Sequence, residues 1–425
     1  MLYFERGSKS DIITAEDTRA ILKQVFDAMG PRKRVLALPP DFTRFNSYAG
    51  PITEMVNDYF GDALTDVMPA LGTHSPMTDE QLSVMFPSVP KEKFRVHDWR
   101  NDIVTVGTVP GSYVSEVSEG RLDYEMNAQV NKLLLDPSFD LILSIGQVVP
   151  HEVIGMANYT KNIFVGVGGS DFINKSHFIG ASYGMERIMG RAKSPVRDVF
   201  EYAKVNFLKD VPIVYVLTVR AKDEESGEMV TRGLYIGDDF ECFQKAADLS
   251  LATNFIMVEK EIKKCIVYLD PEEFKSTWLG NKSVYRTRMA LADDAELIVL
   301  APGLKEFGED KTIDGLIRKY GYKGTPHTLE CTNANADLQA NLGASAHLIH
   351  GSSEGRFKII YCPGDGMTRE EIEGVGFAYC HYDDMVARYP LESLKDGWNT
   401  VGGEEVYYIS NPALGLWAYP DRFKD

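Results

Sequence analysis

Three histidines and one lysine stand where proton-transfer, metal-binding or covalent chemistry could be concentrated: His74, His151, Lys161 and His177. Imidazole transfers protons near neutral pH and is a common metal ligand, and a lysine amine can form a covalent tether. Each histidine lies beside turn residues near the end of a predicted strand, so we expect the three to share one site. Taken singly, each histidine is better explained as an ordinary half-buried loop histidine, and a solvated side chain is the usual explanation for a lysine such as Lys161.

Asp41 and Arg44 form a D-x-x-R pattern directly after the predicted strand 35–38. Ligands of open α/β sheets bind at the carboxyl ends of the strands, and an arginine fork holds a carboxylate with two parallel hydrogen bonds. We therefore expect a binding site for an acidic substrate here. A turn aspartate beside a surface arginine is the alternative.

A glycine-rich run, GVGGSD, occupies residues 166–171. It lacks the third glycine of a dinucleotide-binding fingerprint, because Asp171 takes that place. We expect Gly168 and Gly169 instead to let backbone amides approach a phosphate or a bulky cofactor.

Two polar clusters lie in the second half of the chain, at 276–289 and 347–357. The first contains Lys282 and Arg286. We interpret both clusters as part of a wall that binds an anionic, hydroxyl-bearing substrate. Ordinary polarity of a domain surface is the alternative for both.

Short apolar runs that end in Gly, Pro or Asp alternate with helical stretches throughout the chain, which is typical of α/β proteins. The pattern restarts near residue 256. We predict two α/β domains, 1–255 and 256–425, with largely parallel sheets and the active site in the cleft between them. The apolar tail is expected to pack back on the first domain. The predicted strands are 67–71, 139–145, 162–169, 212–219, 265–270, 296–302 and 357–363, and the predicted helices include 15–29, a stretch beginning near 176, and 240–254.

Charge and cysteine content exclude several classes of function. The net charge is −17, from 45 basic and 62 acidic residues, which disfavours binding to nucleic acid or an anionic membrane. The five cysteines form no CxxC pair, so we expect reduced thiols. No apolar leader and no apolar run long enough to span a membrane are present, so we predict a cytoplasmic protein.

The motifs D-F-T-R (41–44) and G-T-H (72–74), with His151, Lys161 and His177 spaced by ten and sixteen residues, resemble the lactate racemase family of nickel-dependent 2-hydroxy-acid racemases and epimerases. The resemblance implies a nickel-pincer nucleotide, a pyridinium mononucleotide with two sulfur-containing arms. Lys161 would carry it through a thioamide, and His177 would be the protein ligand of nickel. It also implies enzymes of cofactor synthesis as partners.

The same resemblance implies acid/base roles for His74 and His151, and places Asp41 and Arg44 in the substrate and hydride-transfer site. Hydride would leave C2 of a 2-hydroxy acid while a histidine takes the hydroxyl proton, and would return to the other face of the keto acid. Two faces call for two bases.

One departure from the family pattern bears on the substrate. Lactate racemases carry a glutamine and a lysine three residues apart in the second domain, where the best local match here is Arg286 and Met289. Together with Asn281, Lys282 and Arg288, this favours a longer polyol acid, such as the C2-epimeric aldonates gluconate and mannonate, ahead of lactate. Two other functions stay open: a zinc-type hydrolase that uses the three histidines, and a non-catalytic sugar-acid binding protein.

Overall fold

The computed structural model describes residues 1–223 and 225–424. They divide into two compact units. The first unit comprises residues 1–179 and 188–254, and the second comprises residues 180–187 and 255–425.

The strands between residues 1 and 254 are β1 (Leu2–Gly7), β2 (Val35–Leu38), β3 (Leu64–Val67), β4 (Ile103–Val109), β5 (Met126–Asn131), β6 (Leu141–Gln147), β7 (Pro150–His151), β8 (Gly155–Met156), β9 (Ile213–Lys222) and β10 (Met229–Gly237). The helices of this part are α1 (Ala15–Met29), α2 (Ala49–Phe60), α3 (Asp79–Met85), α4 (Gly111–Val117), α5 (Ser170–Tyr183), α6 (Met185–Ile188), α7 (Pro195–Phe207) and α8 (Phe240–Asn254).

The main sheet of the first unit has the order β1-β10-β9-β6-β2-β3. The pairs among β3, β2, β6 and β9 are parallel, whereas β10 and β1 join antiparallel. Both faces of a parallel sheet are normally covered, and every residue of β2 is buried. The carboxyl ends of β3, β2 and β6 therefore lie side by side at one edge.

Helices α1 and α8 have the predicted bounds. Thr14 and Asp17 form a capping box that starts α1, and Gly30, with φ of 78°, ends it. Ile21, Leu22, Val25 and Phe26 of α1 belong to the core of the first unit. The 3.6-residue spacing of these apolar side chains explains why the sequence predicts this helix well.

The prediction of a strand at 162–169 is wrong. Asn162–Gly166 form a π-helical turn whose residues are all buried. The Asn162 amide donates to the Leu38 carbonyl and to the Ser144 hydroxyl, which fixes the turn at the ends of β2 and β6. Periodicity alone cannot distinguish a short apolar run in a strand from one in a buried helical turn.

Two further boundaries differ from the prediction. Strand β3 covers Leu64–Val67, earlier than the predicted 67–71, although the N–H groups of Met68 and Ala70 still donate to the carbonyls of Ala37 and Pro39. Helix α5 begins at Ser170, before the predicted start, so His177 lies inside a helix and not near a strand end.

The strands of the second unit are β11 (Ile256–Met257), β12 (Ile262–Tyr268), β13 (Leu291–Ala301), β14 (Lys358–Pro363), β15 (Ala378–Tyr379), β16 (Gly397–Val401), β17 (Glu404–Ile409) and β18 (Trp417–Ala418). Its helices are α9 (Thr277–Gly280), α10 (Lys282–Tyr285), α11 (Lys311–Tyr320), α12 (Thr325–Ala334), α13 (Ala336–Gln339), α14 (Leu342–His350), α15 (Arg369–Gly374) and α16 (Tyr382–Arg388).

The second sheet has the order β15-β14-β13-β12-β17-β16. Its pairs are parallel except for the last, β17 with β16. Buried side chains cover both faces, in two clusters. In the tail, β17 pairs in parallel with β12 and so belongs to the second sheet. Both units are thus α/β with largely parallel sheets, as predicted.

Within the described part of the chain, we find no helix that combines the length and the apolar character needed to cross a membrane.

Candidate active site

A cavity of about 250 Å³ opens in the first unit at the carboxyl edge of β3, β2 and β6. Its lining includes every residue to which the sequence assigns chemistry in this unit except the two glycines: Asp41, Arg44, His74, His151, Lys161 and His177. The parallel strands bring these residues together, since the segments after three neighbouring strands meet at one edge.

Asp41 and His74 form a hydrogen-bonded pair. His74 Nδ1 lies 2.6 Å from Asp41 Oδ2, and the Thr43 hydroxyl donates to Oδ1 of the same carboxylate. Asp41 is buried, which by itself raises its pKa, but the hydrogen bonds from His74 and Thr43 bring the pKa of Asp41 below its usual value. The carboxylate is therefore ionised and accepts, so His74 donates from Nδ1 and presents the lone pair of Nε2.

The loop that carries His74 is fixed by its backbone. Gly72 has φ of 58°, a conformation that favours glycine, and its N–H donates to the Gly166 carbonyl of the π-helical turn. The side chain of His74 is 58% exposed. The backbone of this loop is therefore fixed, while the ring of His74 is accessible to a ligand.

In His151 the ring proton is on Nε2, whereas in His74 it is on Nδ1. It ends the short strand β7, and its Nδ1 accepts a hydrogen bond of 3.1 Å from the N–H of Val153. A neutral ring must then carry its proton on Nε2. Desolvation lowers the pKa of His151 to about 3, and the charges of Lys161 and His177 act in the same direction. His151 is therefore neutral at physiological pH and donates from Nε2.

Lys161 lies in the helical segment that precedes the π-helical turn, and not at the entrance of a strand. Desolvation lowers the pKa of its amine to about 8, and the positive charges of Arg44 and Arg197 contribute. A substantial fraction of the amine is unprotonated near neutral pH. This side chain can therefore act as a nucleophile.

His177 is oriented by its own helix. Its Nδ1 donates to the Ile173 carbonyl at 2.7 Å, which leaves the Nε2 lone pair available in the neutral ring. Desolvation, with the nearby charge of Lys161, lowers the pKa of His177 to about 4. A neutral imidazole held through its other nitrogen is the form that binds a metal.

Gly168 and Gly169 do not line this cavity. A Cβ on Gly168 would lie 1.9 Å from the Phe164 carbonyl oxygen, and one on Gly169 would lie 2.4 Å from Gln129 Oε1. Buried His97 donates from Nε2 to the Gly168 carbonyl. These two glycines permit close packing, and Gly166 and Gly72 are the glycines that border the cavity.

The residues predicted to bind substrate in the second unit have partners there. Arg286 Nη1 donates to the carbonyls of Ala413 and Gly415. Lys282 Nζ lies 5.4 Å from the centroid of the Phe274 ring. Buried Asn281 accepts from the Tyr361 hydroxyl, and buried Arg288 pairs with Glu186.

The sequence interpretation missed three polar residues that line the cavity, Gln147, Asn158 and Asn162. Gln147 ends β6, and the asparagines flank Lys161 at three and one residues' distance. Asparagine tolerates left-handed backbone and caps turns, so the run ANYTKN carried a signal for a tight turn beside the lysine.

Over the described ranges, we find no group of three or more His, Cys, Asp and Glu side chains that converge as metal ligands.

Residues 12–186 match the model of the lactate racemase N-terminal domain. This part of the chain is therefore similar to the N-terminal domain of lactate racemases. The matched region contains the six chemically active residues that line the cavity. No curated protein matches the chain.

Two solved structures share the fold of this chain. A crystal structure of a Thermotoga maritima protein from a structural genomics consortium has 21% sequence identity and a TM-score of 0.75, and the match covers 96% of this chain and 99% of that chain. The apoprotein of lactate racemase from Thermoanaerobacterium thermosaccharolyticum has 16% identity and a TM-score of 0.65, with 96% and 93% covered.

Proposed function

We propose that this protein is a racemase or epimerase that inverts C2 of a 2-hydroxy acid with a nickel-pincer nucleotide bound at Lys161 and His177. One observation supports the proposal most strongly. One cavity is lined by the nucleophilic Lys161 and by His177, whose Nε2 lone pair is available to a metal. The same cavity is lined by His74, whose ring proton is on Nδ1, and by His151, whose ring proton is on Nε2.

The residues present fit such a cofactor. The lowered pKa of Lys161 suits amide or thioamide formation, and Nε2 of His177 is available as one nitrogen ligand. A pincer that brings its own carbon and sulfur ligands needs one ligand from the protein, which agrees with the lack of a convergent set of protein ligands in the described residues. A hydrolase that binds zinc through three histidines would need such a set.

When bound, the cofactor supplies a hydride acceptor. His74 takes the hydroxyl proton at Nε2, because Asp41 holds the proton on Nδ1 and stabilises the imidazolium that forms. Arg44 lines the same cavity and binds the substrate carboxylate. His151 donates a hydrogen bond from Nε2 to the carbonyl oxygen of the keto acid. To restore the hydroxyl of the inverted product, His151 must carry a second proton, taken from solvent, and give one proton to the product oxygen.

Inversion in the opposite direction reverses these roles. His151 must then accept the hydroxyl proton, which requires its ring proton to move to Nδ1 at the expense of the hydrogen bond from Val153. The two directions are therefore expected to depend differently on the two histidines.

The substrate class that we propose is a 2-hydroxy acid, with the aldonates gluconate and mannonate tested ahead of lactate. The polar residues that motivated a sugar acid include Asn281 and Arg288, whose side chains bond within the second unit. Lys282 and Arg286 stay candidates for substrate contacts.

Coexpression with enzymes that synthesise the cofactor tests the proposal. We expect a covalent mass increment on Lys161, bound nickel, and inversion of at least one 2-hydroxy acid. Turnover without an adduct on Lys161 would contradict the proposal, as would hydrolysis supported by zinc alone. Tight binding of a sugar acid with no turnover in the loaded protein would indicate a binding protein.

A further inference from the structure

Arg197 is a fully buried arginine in the first turn of α7, outside the cavity described above. Its guanidinium donates to the Met156 carbonyl at 2.6 Å, to the Thr160 hydroxyl at 2.8 Å and to the Asn158 carbonyl at 3.2 Å. All three acceptors belong to the five residues that precede Lys161. The buried guanidinium of Arg197 thus hydrogen-bonds to three of the five residues that precede Lys161.

The segment that Arg197 holds has an unfavourable backbone. Asn158 and Tyr159 have φ of 66° and 59°, two consecutive non-glycine residues in the left-handed region. Such residues persist only when the surrounding structure stabilises them. The Asn158 carbonyl accepts from both the Arg197 guanidinium and the N–H of Lys161. The strained turn, the arginine and the lysine backbone are therefore directly linked.

The rest of the environment keeps Arg197 in place. Its guanidinium carbon lies 4.2 Å from the centroid of the Phe243 ring. Ser194 caps α7 by accepting from the Arg197 N–H, and its hydroxyl donates to the Ile154 carbonyl, in the same connection that Arg197 holds. Burial of a charge is costly unless the charge is well paired. Here three hydrogen bonds to residues 156–160 offset part of that cost, and a hydrophobic side chain could not make them.

We propose that Arg197 is a positioning residue that fixes the turn at 156–160 and thereby places the Lys161 amine in the cavity. The positioning itself does not depend on the proposed function; only its purpose, attachment of a cofactor to Lys161, rests on that function. Arg197 does not touch the reacting atoms and acts through the backbone of residues 156–160.

Hydrogen exchange of the cofactor-free protein tests the positioning, in Arg197→Met, Arg197→Lys and Thr160→Val variants. Loss of charge-assisted hydrogen bonds is expected to speed exchange of the amides at 160–163 about tenfold or more in Arg197→Met. Arg197→Lys and Thr160→Val are expected to give smaller increases. A fourth variant, Arg197→Ala, tests chemical rescue. Free guanidinium at millimolar concentration is expected to replace the missing side chain and slow exchange of these amides again.

Arg232 provides the matched control. It is also buried in the first unit, and it donates to Asp223 and to the Asp11 carbonyl. Arg232→Met should leave exchange at 160–163 unchanged. Unchanged exchange there in the Arg197 variants would overturn the proposal, and so would an equal increase in the strands of the sheet, which would show only general destabilisation. If Arg197→Met does not fold, Arg197→Lys and Thr160→Val decide in the same way.

The fraction of Lys161 that carries the cofactor then tests whether the positioning by Arg197 serves cofactor attachment. When wild type is loaded during coexpression, folded Arg197→Lys is expected to show a lower fraction of Lys161 with the mass increment, whereas Arg232→Lys is not. Normal loading of Arg197→Lys would overturn this part of the inference. Absence of an adduct in wild type would contradict the proposed function and leave the exchange result on Arg197 intact.

Discussion

His74 Nδ1 and Asp41 Oδ2 lie 2.6 Å apart, and the second oxygen of Asp41 accepts from Thr43. The carboxylate is buried and the imidazole tip is exposed. The pair therefore fixes the tautomer and orientation of the His74 ring, as in the Asp-His pairs of hydrolases, in a cavity that Lys161 also lines. Asp41 acts through His74, so its substitution should change catalysis more than binding.

Asp41→Asn should lower kcat of the loaded enzyme by about 10²-fold to 10⁴-fold, with a smaller change in KM. The asparagine amide would donate to His74 or accept from it without a charge, so the imidazolium loses its stabilising partner. Kinetics of C2 inversion measure this effect. Asp66→Asn is the control, because Asp66 is equally buried but pairs with Arg34 and Arg95 outside the cavity. Equal losses in both variants would argue against the dyad.

His177→Ala should remove nickel and leave the organic adduct on Lys161. The reason is that Nε2 of His177 is the nitrogen proposed to bind nickel, whereas the adduct would form separately on Lys161. Metal analysis and intact mass of the same sample measure the two quantities. His97→Gln is the control, since both ring nitrogens of His97 are engaged, by Gly168 and Asn131. Full nickel in His177→Ala would show that the ligand assignment is wrong.

The free energy of unfolding should fall in mild acid because His151 stays neutral in the folded protein. Its folded pKa is about 3, whereas an unfolded histidine titrates near 6.5. Between these values the unfolded state binds more protons, so stability falls as pH decreases, by at most about 1.4 kcal/mol per pH unit.

Replacement by Gln tests this dependence. Compared with His151→Gln, the wild type should lose about 2 kcal/mol more between neutral pH and about pH 5. Above pH 7 the two proteins should show the same pH dependence, which serves as the internal control. Urea unfolding measures the difference. Parallel curves throughout would show that His151 titrates normally in the folded state.

Arg286→Met should lower the stability of the second unit by about 1–3 kcal/mol, because two backbone carbonyls would lose a charged donor. Denaturation followed by Trp fluorescence measures this. Lys282→Met is the companion variant, since the ring of Phe274 lies beside the ammonium. A rise in KM with unchanged stability in either variant would establish the substrate role that the sequence predicts.

Regular elements and strand-end motifs could be predicted from sequence. Helices α1 and α8 follow clear apolar spacing, and Asp41 and Arg44 do follow β2 as expected. The spacing of apolar residues depends only on local sequence, and it can be recognised when one face of the element is buried.

The elements that carry Lys161 and His177 could not be predicted in the same way. The π-helical turn depends on Asn162, which bonds to Leu38 and Ser144 far away in sequence. Burial on all sides removes the periodicity that separates helix from strand. The spacing of ten and sixteen residues supported the family resemblance, but only the tertiary contacts show that His177 is helical and that Arg197 holds the turn before Lys161.

The fate of the C2 hydrogen tests the central claim most directly. Loaded enzyme would be incubated with one stereoisomer of a 2-hydroxy acid that it inverts, in deuterated solvent, and the product analysed for configuration and deuterium at C2. Hydride transfer through the bound cofactor predicts inversion with the original hydrogen largely kept at C2. Full incorporation of deuterium at C2 would show proton abstraction instead and would contradict the account.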